Sequence, residues 1–535
     1  MSTKRQAVLA KLKTGNMTFD VVVIGGGITG AGVAREAAGS GLRTLLVEQK
    51  DFAWGTSSRS SKMVHGGLRY LGSGQYSLTR DAVHERQRLM DEAPGLIDPL
   101  RFIMPHFRRQ FPGPHLFQLL LRIYDRIART HSRQYLKPAE TMHWIPGLAA
   151  ENFIGASGFT DAVTDDARLV QRLIAEARRD GALCLNYVKA LQVMRTGEKV
   201  SGVQIQAEED DLPFSVSARL VINATGAWAG KVQSASGVGK TINVRPLRGS
   251  HIVLPWARLP VSCCVSLMHP IDKRPVFAFP WLGTTVLGTT DLDHAGDIDQ
   301  EPVISCAEVD YLLAIADRLF SGHHIARTDI VSTWAGVRPV ITDGTGKAPS
   351  KENREHEFHQ NNGLISVAGG KLTTFRLIAR EALKRGLGSD KNDAPLRDES
   401  LPVFTPAPDQ KRPKYLSHLT WHRLKGYYGP DLEQVLNTTV DTDSTVTAGC
   451  DLTWAEVYWA CQNEDVLHLD DLMLRRTRLG LILPDGAKAL FPALKEHCQP
   501  LLGWNDNKWN REISRYLDIR ERAYSLPIRE PCHAR

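Results

Sequence analysis

A chain of 535 residues with 42% hydrophobic and 23% charged residues is too long for one ordinary core and too apolar to stay disordered, so two or three globular domains are expected. The balance of 66 Lys and Arg against 59 Asp and Glu gives a net charge of +7, which suits an anionic small molecule, a membrane surface or nucleic acid without choosing among them. Eight cysteines carry no C-x-x-C or Cys/His ligand spacing, and only Cys263 and Cys264 are close together, so neither a metal site nor a disulfide framework is expected and a reducing cytoplasm is favoured.

Residues 1–18 are polar and basic without a sustained apolar core, so no secretory signal is expected there. No run approaches the roughly 18 apolar residues of a spanning helix, and any membrane contact is expected to be peripheral. Residues 19–48, FDVVVIGGGITGAGVAREAAGSGLRTLLVE, predict a βαβ unit: a buried strand over Val21–Ile24, a glycine turn, a helix-period segment and a second strand ending at Glu48. Gly25, Gly27 and Gly30 fall on the G-x-G-x-x-G pattern. Such a turn lets a pyrophosphate approach the amides at the start of the helix, near Ile28 and Thr29, where the dipole favours negative charge. Glu48 can accept hydrogen bonds from a ribose. Together these residues predict dinucleotide binding.

The next segment, TSSRSSKMVHGGLRYLGSG from Thr56, places hydroxyls, glycines, a histidine and three cations together directly after the strand pattern ends. Residues 97–137 mix apolar clusters with eight Lys or Arg against two Asp, a balance that fits either a membrane-surface segment or a basic face over an ordinary core helix. A helix is predicted near Ala167–Arg179, strands around Leu183–Met194 and Gly202–Ala207, and an apolar strand at Leu220–Ile222 that runs into Asn223-Ala224-Thr225-Gly226. Between Thr241 and Thr290, short β-branched runs broken by Pro and Gly predict a largely antiparallel sheet. A further strand at Leu364–Ala368 leads into GGKLTTFRLIAREALKRG, a tight turn and an amphipathic helix. Residues 389–414 are rich in Pro and charge without periodicity, a linker by composition, and the last 120 or so residues have helical spacing.

The pairing of the Thr56 segment with a late NATG strand end is similar to flavoproteins that bind FAD in an extended form. The motifs VIGGGITGAG, TSSRSSKMVHGGLRYL, DDARLV, RGSHIVLP, GTTD, AGVRP and GGKLTTFR resemble the FAD-dependent, respiratory glycerol-3-phosphate dehydrogenases, over about residues 19–385. The DDLMLRRTRLG segment extends the resemblance, less specifically, into the helical tail. Phe375 stands where the family commonly has Tyr, and LPVF at Leu401 where LPGG is expected. The resemblance implies an α/β (α+β overall) fold of the glycine-oxidase-like flavoprotein type. Its parts are a discontinuous Rossmann-like FAD domain (19–100, 160–235, 335–388), an antiparallel-sheet substrate domain (101–159, 236–334), the linker and a helical domain (415–535).

Oxidising a secondary alcohol by hydride transfer to flavin needs a group that accepts or stabilises the hydroxyl proton and anchors for the rest of the substrate. A phosphorylated substrate asks for guanidinium or ammonium groups. The resemblance implies that Arg69, Arg338 and Lys371 line the substrate end, with Arg274 a further candidate; Arg338 is enclosed by Val337 and Pro339 after the apolar TWAGV run. His251 is the first candidate for proton acceptor, because an unperturbed imidazole titrates near neutrality; a strand histidine satisfied in the core is the competing reading, and Arg338 could polarise the hydroxyl instead. His65 and Tyr70 are expected to shape the flavin and substrate walls. Thr56, Ser57, Ser58 and Ser61, with Gly66 and Gly67, are expected against the FAD phosphates and flavin edge. Ala224, Thr225 and Gly226 are expected at the cofactor, and Gly370, Lys371, Leu372 and Thr373 form a second positive helix end near the flavin ring.

The implied partners are glycerol 3-phosphate, a membrane quinone and an anionic membrane surface, at the cytoplasmic face of the cytoplasmic membrane; a homodimer is left open. An oxygen-using glycerol-3-phosphate oxidase, another FAD-dependent hydroxy- or amino-acid oxidase and a flavin-binding regulatory protein are the alternatives. No helix-turn-helix, RNA-binding or zinc signature supports nucleic acid.

Overall fold

The computed structural model describes residues 3–72, 74–237, 242–272, 274–342, 356–388, 396–438 and 445–528. Two sheets dominate. The first is built on Thr18–Ile24, whose apolar run Val21–Ile24 is buried on both faces as a central parallel strand must be. It lies between Phe214–Asn223 and Thr44–Val47, both parallel to it, and the sheet extends through Leu364–Ala368 and Glu357–Asn361 on one side and Leu183–Leu185 on the other. Helices Ile28–Gly39, Asp166–Arg179 and Phe375–Leu387 cover one face, meeting Val21, Val23 and Leu46 in one core. The hairpin Val188–Thr196 and Lys199–Ala207, with Leu9 and Leu12 of helix Thr3–Lys13, covers the other. Phe375 is buried where helices Ile28–Gly39 and Phe375–Leu387 cross, its ring filling the space that Gly32 leaves open.

The second sheet has ten strands and is antiparallel except where Cys264–Met268 runs parallel to Ile97–Phe107. Its long pair, Val244–Pro255 and Ser332–Ile341, is in register with Leu247 opposite Arg338, Gly249 opposite Gly336 and His251 opposite Trp334. Side chains alternate along a strand, so these six positions share one face. The sequence reading assigned residues from 335 to the cofactor domain, but Ser332–Ile341 completes the second sheet. Met63–Val64, Ile97–Phe107 and Phe153–Thr164 also pair there, so the chain changes sheets earlier than composition suggests.

Residues 396–414 form no regular element, yet they are not a free linker. Val403 and Phe404 are buried in the cofactor-domain core, Arg35 Nε donates to the Val403 carbonyl at 2.9 Å, and the Thr405 amide donates to Glu176 at 2.9 Å. The apolar pair of LPVF therefore anchors the strap that carries the chain into the C-terminal helices, among them His418–Tyr428, Trp454–Asn463, Phe491–Leu502 and Asp506–Ala523.

The helical domain is tied to the cofactor domain by buried charge. Arg476 donates twice to Asp51, at 2.6 and 2.7 Å, and Arg475 bridges Asp51, Asp470 and Asp471. Arg478 reaches Asp165 at 2.7 Å and Asp166 at 2.5 Å. Burial opposes ionisation of Asp51, but Arg476 and Arg475 outweigh it and hold the carboxyl down at about 2.

His468 makes a second tie, lying 3.0 Å from Glu512 on helix Asp506–Ala523 and 3.5 Å from Glu208 beside the cofactor-domain hairpin. Burial lowers its pKa, but hydrogen bonds to the two carboxylates prevail and raise it from 6.5 to about 10. A pKa raised on folding stabilises fully below the unfolded value and loses that effect as pH rises to the folded one. The stability difference between wild type and His468→Gln should be constant between about pH 5, where Glu208 is ionised, and about pH 6.5, shrink steadily above it and vanish near pH 10. Urea denaturation across this range measures it, and a pH-independent difference would refute the assignment.

Candidate active site

A cavity of about 1560 Å³ lies between the two sheets and takes its walls from both. Ligand pockets commonly enclose roughly 300–1,000 Å³, so this one has room for a dinucleotide and a small substrate together.

The dinucleotide end begins where strand Thr18–Ile24 stops. Gly25 has φ of +108°, and a Cβ there would lie 2.7 Å from the Ala224 carbonyl oxygen, so the turn admits no side chain. Helix Ile28–Gly39 starts immediately after, with Gly27, Ile28 and Thr29 lining the cavity and the Ile28 amide donating to Ser57 Oγ at 2.9 Å. Glu48 lines the wall at the end of the second strand, accepting from the Gly26 amide at 2.6 Å and the Lys50 amide at 2.9 Å. Burial raises its pKa above the ordinary carboxylate value against those two hydrogen bonds. Thr56, Ser57, Ser61, His65 and Gly67, then Ala224, Thr225 and Gly226, then Gly370, Lys371, Leu372 and Thr373 complete this wall. The positive helix start, the glycine turn and the carboxylate acceptor fit an adenine dinucleotide such as FAD.

Three residues expected at the cofactor stand behind the wall instead. Gly30 lets the helix pack on the Gly25 carbonyl, the Ser58 carbonyl accepts from Lys62 at 2.6 Å and Arg478 at 3.3 Å, and the Gly66 amide donates to Asp161 at 3.1 Å. Each braces the segment that does line the cavity. The side chain of Arg69 lies outside the described residues; its backbone belongs to helix Leu68–Gly72.

At the substrate end, Arg274 and Arg338 line the cavity and both pair with Asp291, at 2.9 and 2.8 Å. Arg338 also donates to Thr289 Oγ1 at 3.0 Å, and its guanidinium lies over Gly249, where any side chain would displace it. The Lys371 ammonium sits 3.6 Å from the centre of the Tyr70 ring, and the Tyr70 and His65 rings lie 6.5 Å apart. His251 is buried, stacks on Trp334 with ring centres 4.9 Å apart, and places Nε2 2.9 Å from Ser61 Oγ. The sequence reading credited this imidazole with an unperturbed pKa. The structure corrects that: burial first, then the charges of Arg338 and Lys62, push it well below 6.5, so it is neutral throughout the physiological range.

Sequence reasoning missed Asp291 and Glu308. Asp291 is the last residue of GTTD, a stretch whose only sequence signal is its likeness to the family pattern. Glu308 caps helix Cys306–Leu319 through the Ser305 amide at 2.9 Å, while its other oxygen accepts from Thr290 at 2.7 Å and Ser250 at 2.8 Å. The S-x-x-E spacing from Ser305 signals a capping box; its second role needed the tertiary fold. Arg59, not assigned from sequence, pairs with Glu301 and bonds the Tyr524 hydroxyl at 3.0 Å.

Residues 20–381 match the family of FAD dependent oxidoreductases, and residues 396–509 match the C-terminal domain of alpha-glycerophosphate oxidase. A glycerol-3-phosphate dehydrogenase 2 of Mycobacterium bovis is 32% identical over 530 residues, which span 96% of this chain and 90% of that protein. A glycerol-3-phosphate dehydrogenase of Synechocystis sp. is 31% identical over 541 residues, spanning 95% and 97%. Among solved structures, the glycerol-3-phosphate dehydrogenase of Bacillus halodurans complexed with FAD superimposes with a TM-score of 0.75 at 26% identity, covering 97% of both chains. The dithionite-reduced L-alpha-glycerophosphate oxidase of Mycoplasma pneumoniae with FAD bound shares the fold, with a TM-score of 0.56 at 17% identity over 71% of this chain and 97% of that one.

Gly25→Ala should reduce bound flavin per protein at least tenfold, read from visible absorbance after purification. Gly41→Ala, also at positive φ but with no heavy atom within 4 Å of its Cβ position, should retain flavin. Equal flavin content in both variants would dissociate the Gly25 turn from cofactor binding.

Proposed function

This chain belongs to the FAD-dependent oxidoreductases and, within them, to the glycerol-3-phosphate dehydrogenases, and on that premise we propose that it oxidises sn-glycerol 3-phosphate to dihydroxyacetone phosphate and passes the electrons to a membrane quinone. The observation that carries this reading is one cavity lined both by a dinucleotide cradle and by Arg274, Arg338 and Lys371. An unphosphorylated hydroxy or amino acid would not call for so many cations.

The alcohol carbon gives up a hydride and its hydroxyl a proton; bound FAD supplies the hydride acceptor. Arg274, Arg338 and Lys371 hold the phosphate, each charge-assisted contact contributing about 1.5–3 kcal/mol. Arg338 stays protonated at all relevant pH, so it anchors charge and does not accept the proton. That task falls to His251. Its imidazole is neutral and so has a lone pair to offer, and Ser61, which also lines the cavity, is bonded to Nε2; burial and the charges of Arg338 and Lys62 make it a weak base, so the proton moves only as the hydride leaves. Trp334 fixes the ring plane by stacking.

Anaerobic addition of glycerol 3-phosphate to the purified yellow protein should bleach the flavin absorbance stoichiometrically; no bleaching would overturn the enzymatic reading. Arg338→Ala should retain FAD and lose at least a hundredfold in kcat/KM, and wild-type turnover by this variant would remove Arg338 from the site. Peroxide formed faster from oxygen than a quinone analogue is reduced would make the chain an oxidase.

No helix among the described residues is long and apolar enough to cross a membrane. A peripheral contact is supported by residues 108–128, where part of the basic segment forms a loop and helix Pro114–Ala128. Phe111 is 79% exposed, Leu119 53% and Leu116 43%, and Arg108, Arg109, Arg122 and Arg126 are exposed around them. Phe111, Pro112, Leu116 and Leu120 also line the cavity, so the apolar surface borders its opening. This face rests on an anionic membrane, its rings and leucines in the interface and its arginines at the headgroups, and gives a quinone a path from the lipid. Phe111→Ser with Leu119→Ser should reduce co-sedimentation with phosphatidylglycerol vesicles at least fivefold; unchanged sedimentation would remove this face from membrane contact.

A further inference from the structure

The two cavity arginines are not independent anchors. Arg274 Nη2 lies 2.9 Å from Asp291 Oδ2 and Arg338 Nη1 lies 2.8 Å from Asp291 Oδ1, so one carboxylate spends each of its oxygens on a different guanidinium. Arg274 closes a second bond to the Asp291 carbonyl at 3.2 Å, and Arg338 a second to Thr289 Oγ1 at 3.0 Å. The Asp291 side chain has no solvent exposure, whereas those of Arg274 and Arg338 are 18% and 24% exposed and line the cavity. The carboxylate thus stands behind the cations, out of reach of a ligand, with the guanidinium groups in front of it.

Asp291 is itself fixed from behind. Its neighbour Thr290 donates to buried Glu308 at 2.7 Å and accepts from the Ser250 amide at 2.9 Å, and Ser250 donates to the same Glu308 oxygen at 2.8 Å. Glu308 is anchored in turn by capping helix Cys306–Leu319. Two like-charged guanidinium groups left alone would move apart and toward water. A shared carboxylate on a rigid mount holds them at a set spacing at the cavity wall, and paired guanidinium forks match the oxygens of a phosphate.

We propose that Asp291 is a positioning residue that mounts Arg274 and Arg338 as a two-armed clamp for the phosphate group of the substrate, and so sets the preference of the site for a phosphate monoester. This rests on the glycerol 3-phosphate reading above and goes beyond it by saying which groups meet the phosphate and what holds them. His251, two residues along the strand from the glycine beneath Arg338 and on the same face, is then left to the hydroxyl end. A clamp member acts on affinity, not on the chemical step.

The test compares wild type, Asp291→Ala and Asp291→Asn as FAD-loaded proteins. Two readouts are used: steady-state kinetics with glycerol 3-phosphate, and binding of inorganic phosphate followed by flavin fluorescence. Asp291→Ala is expected to raise KM at least thirtyfold and to weaken phosphate binding in parallel, with most of the loss of kcat/KM carried by KM. Asp291→Asn keeps one acceptor oxygen for one arginine and is expected to recover part of both affinities. A fall in kcat with unchanged KM and phosphate affinity would overturn the clamp, as would an Asn variant no better than Ala in both readouts. If wild type binds phosphate but its flavin is not reduced by glycerol 3-phosphate, the functional reading fails and the phosphate measurements still decide the clamp.

Discussion

The site depends on one buried electrostatic arrangement: residues 51–62, which line both ends of the cavity, are held by charges from the far end of the chain. Asp51 at the start of the segment takes Arg475 and Arg476 from the C-terminal domain. Near its end, Lys62 bonds Asp166 at 2.8 Å, and Asp166 also takes Arg478 and the Ser60 amide and hydroxyl. Removing one partner of such a buried pair typically costs about 3–5 kcal/mol, because the other charge is left uncompensated. The helical domain is therefore structural support for the loop that joins cofactor to substrate. Burial lowers the pKa of Lys62 to about 8 against the opposing pull of Asp166, so the ammonium is still mostly charged near neutral pH.

A second constraint is steric. Gly249, Gly288 and Gly336 lie close together in neighbouring strands, and the space they leave is used: the Arg338 guanidinium over Gly249, the His251 ring over Gly288, and the Arg59 backbone against Gly336. Thr56 Oγ1 also bonds the Val337 carbonyl, and Trp334 Nε1 donates to the Ser60 carbonyl at 3.3 Å. The glycines thus let the loop from the first sheet seat directly on the second. Catalytic and anchoring groups then fall on a shared face, where burial first, and then the charges of Arg338 and Lys62, keep the imidazole of His251 neutral.

How legible all this was in the sequence varied with the range of the interaction. The cradle was readable because a strand, Gly25, Gly27, a helix start and Glu48 sit within thirty residues, and each has a local reason to be there. Arg338, Arg274 and Lys371 were found among the chain's 66 Lys and Arg by likeness to a family, with a local signal only for Arg338 in its apolar neighbours, and His251 was picked for the ordinary pKa of imidazole. The pKa of His251, the pairing of both arginines with Asp291 and the work of Glu308 beyond its cap were not legible. Burial and the approach of charges distant in sequence decide them. LPVF read as part of a linker because Pro and charge dominate around it, yet Val403 and Phe404 find a core that only the folded cofactor domain offers.

The sequence by itself determined the βαβ cradle, the helical character of the last domain and the chemistry available, since periodicity, glycine spacing and residue type act over a turn or two of chain. Tertiary structure alone decided which sheet owns Ser332–Ile341, which glycines leave space for Arg338 and His251, and which carboxylate mounts the arginines. The physical reason is that register, desolvation and charge pairing are properties of surfaces brought together from distant parts of the chain, and no local pattern records their meeting.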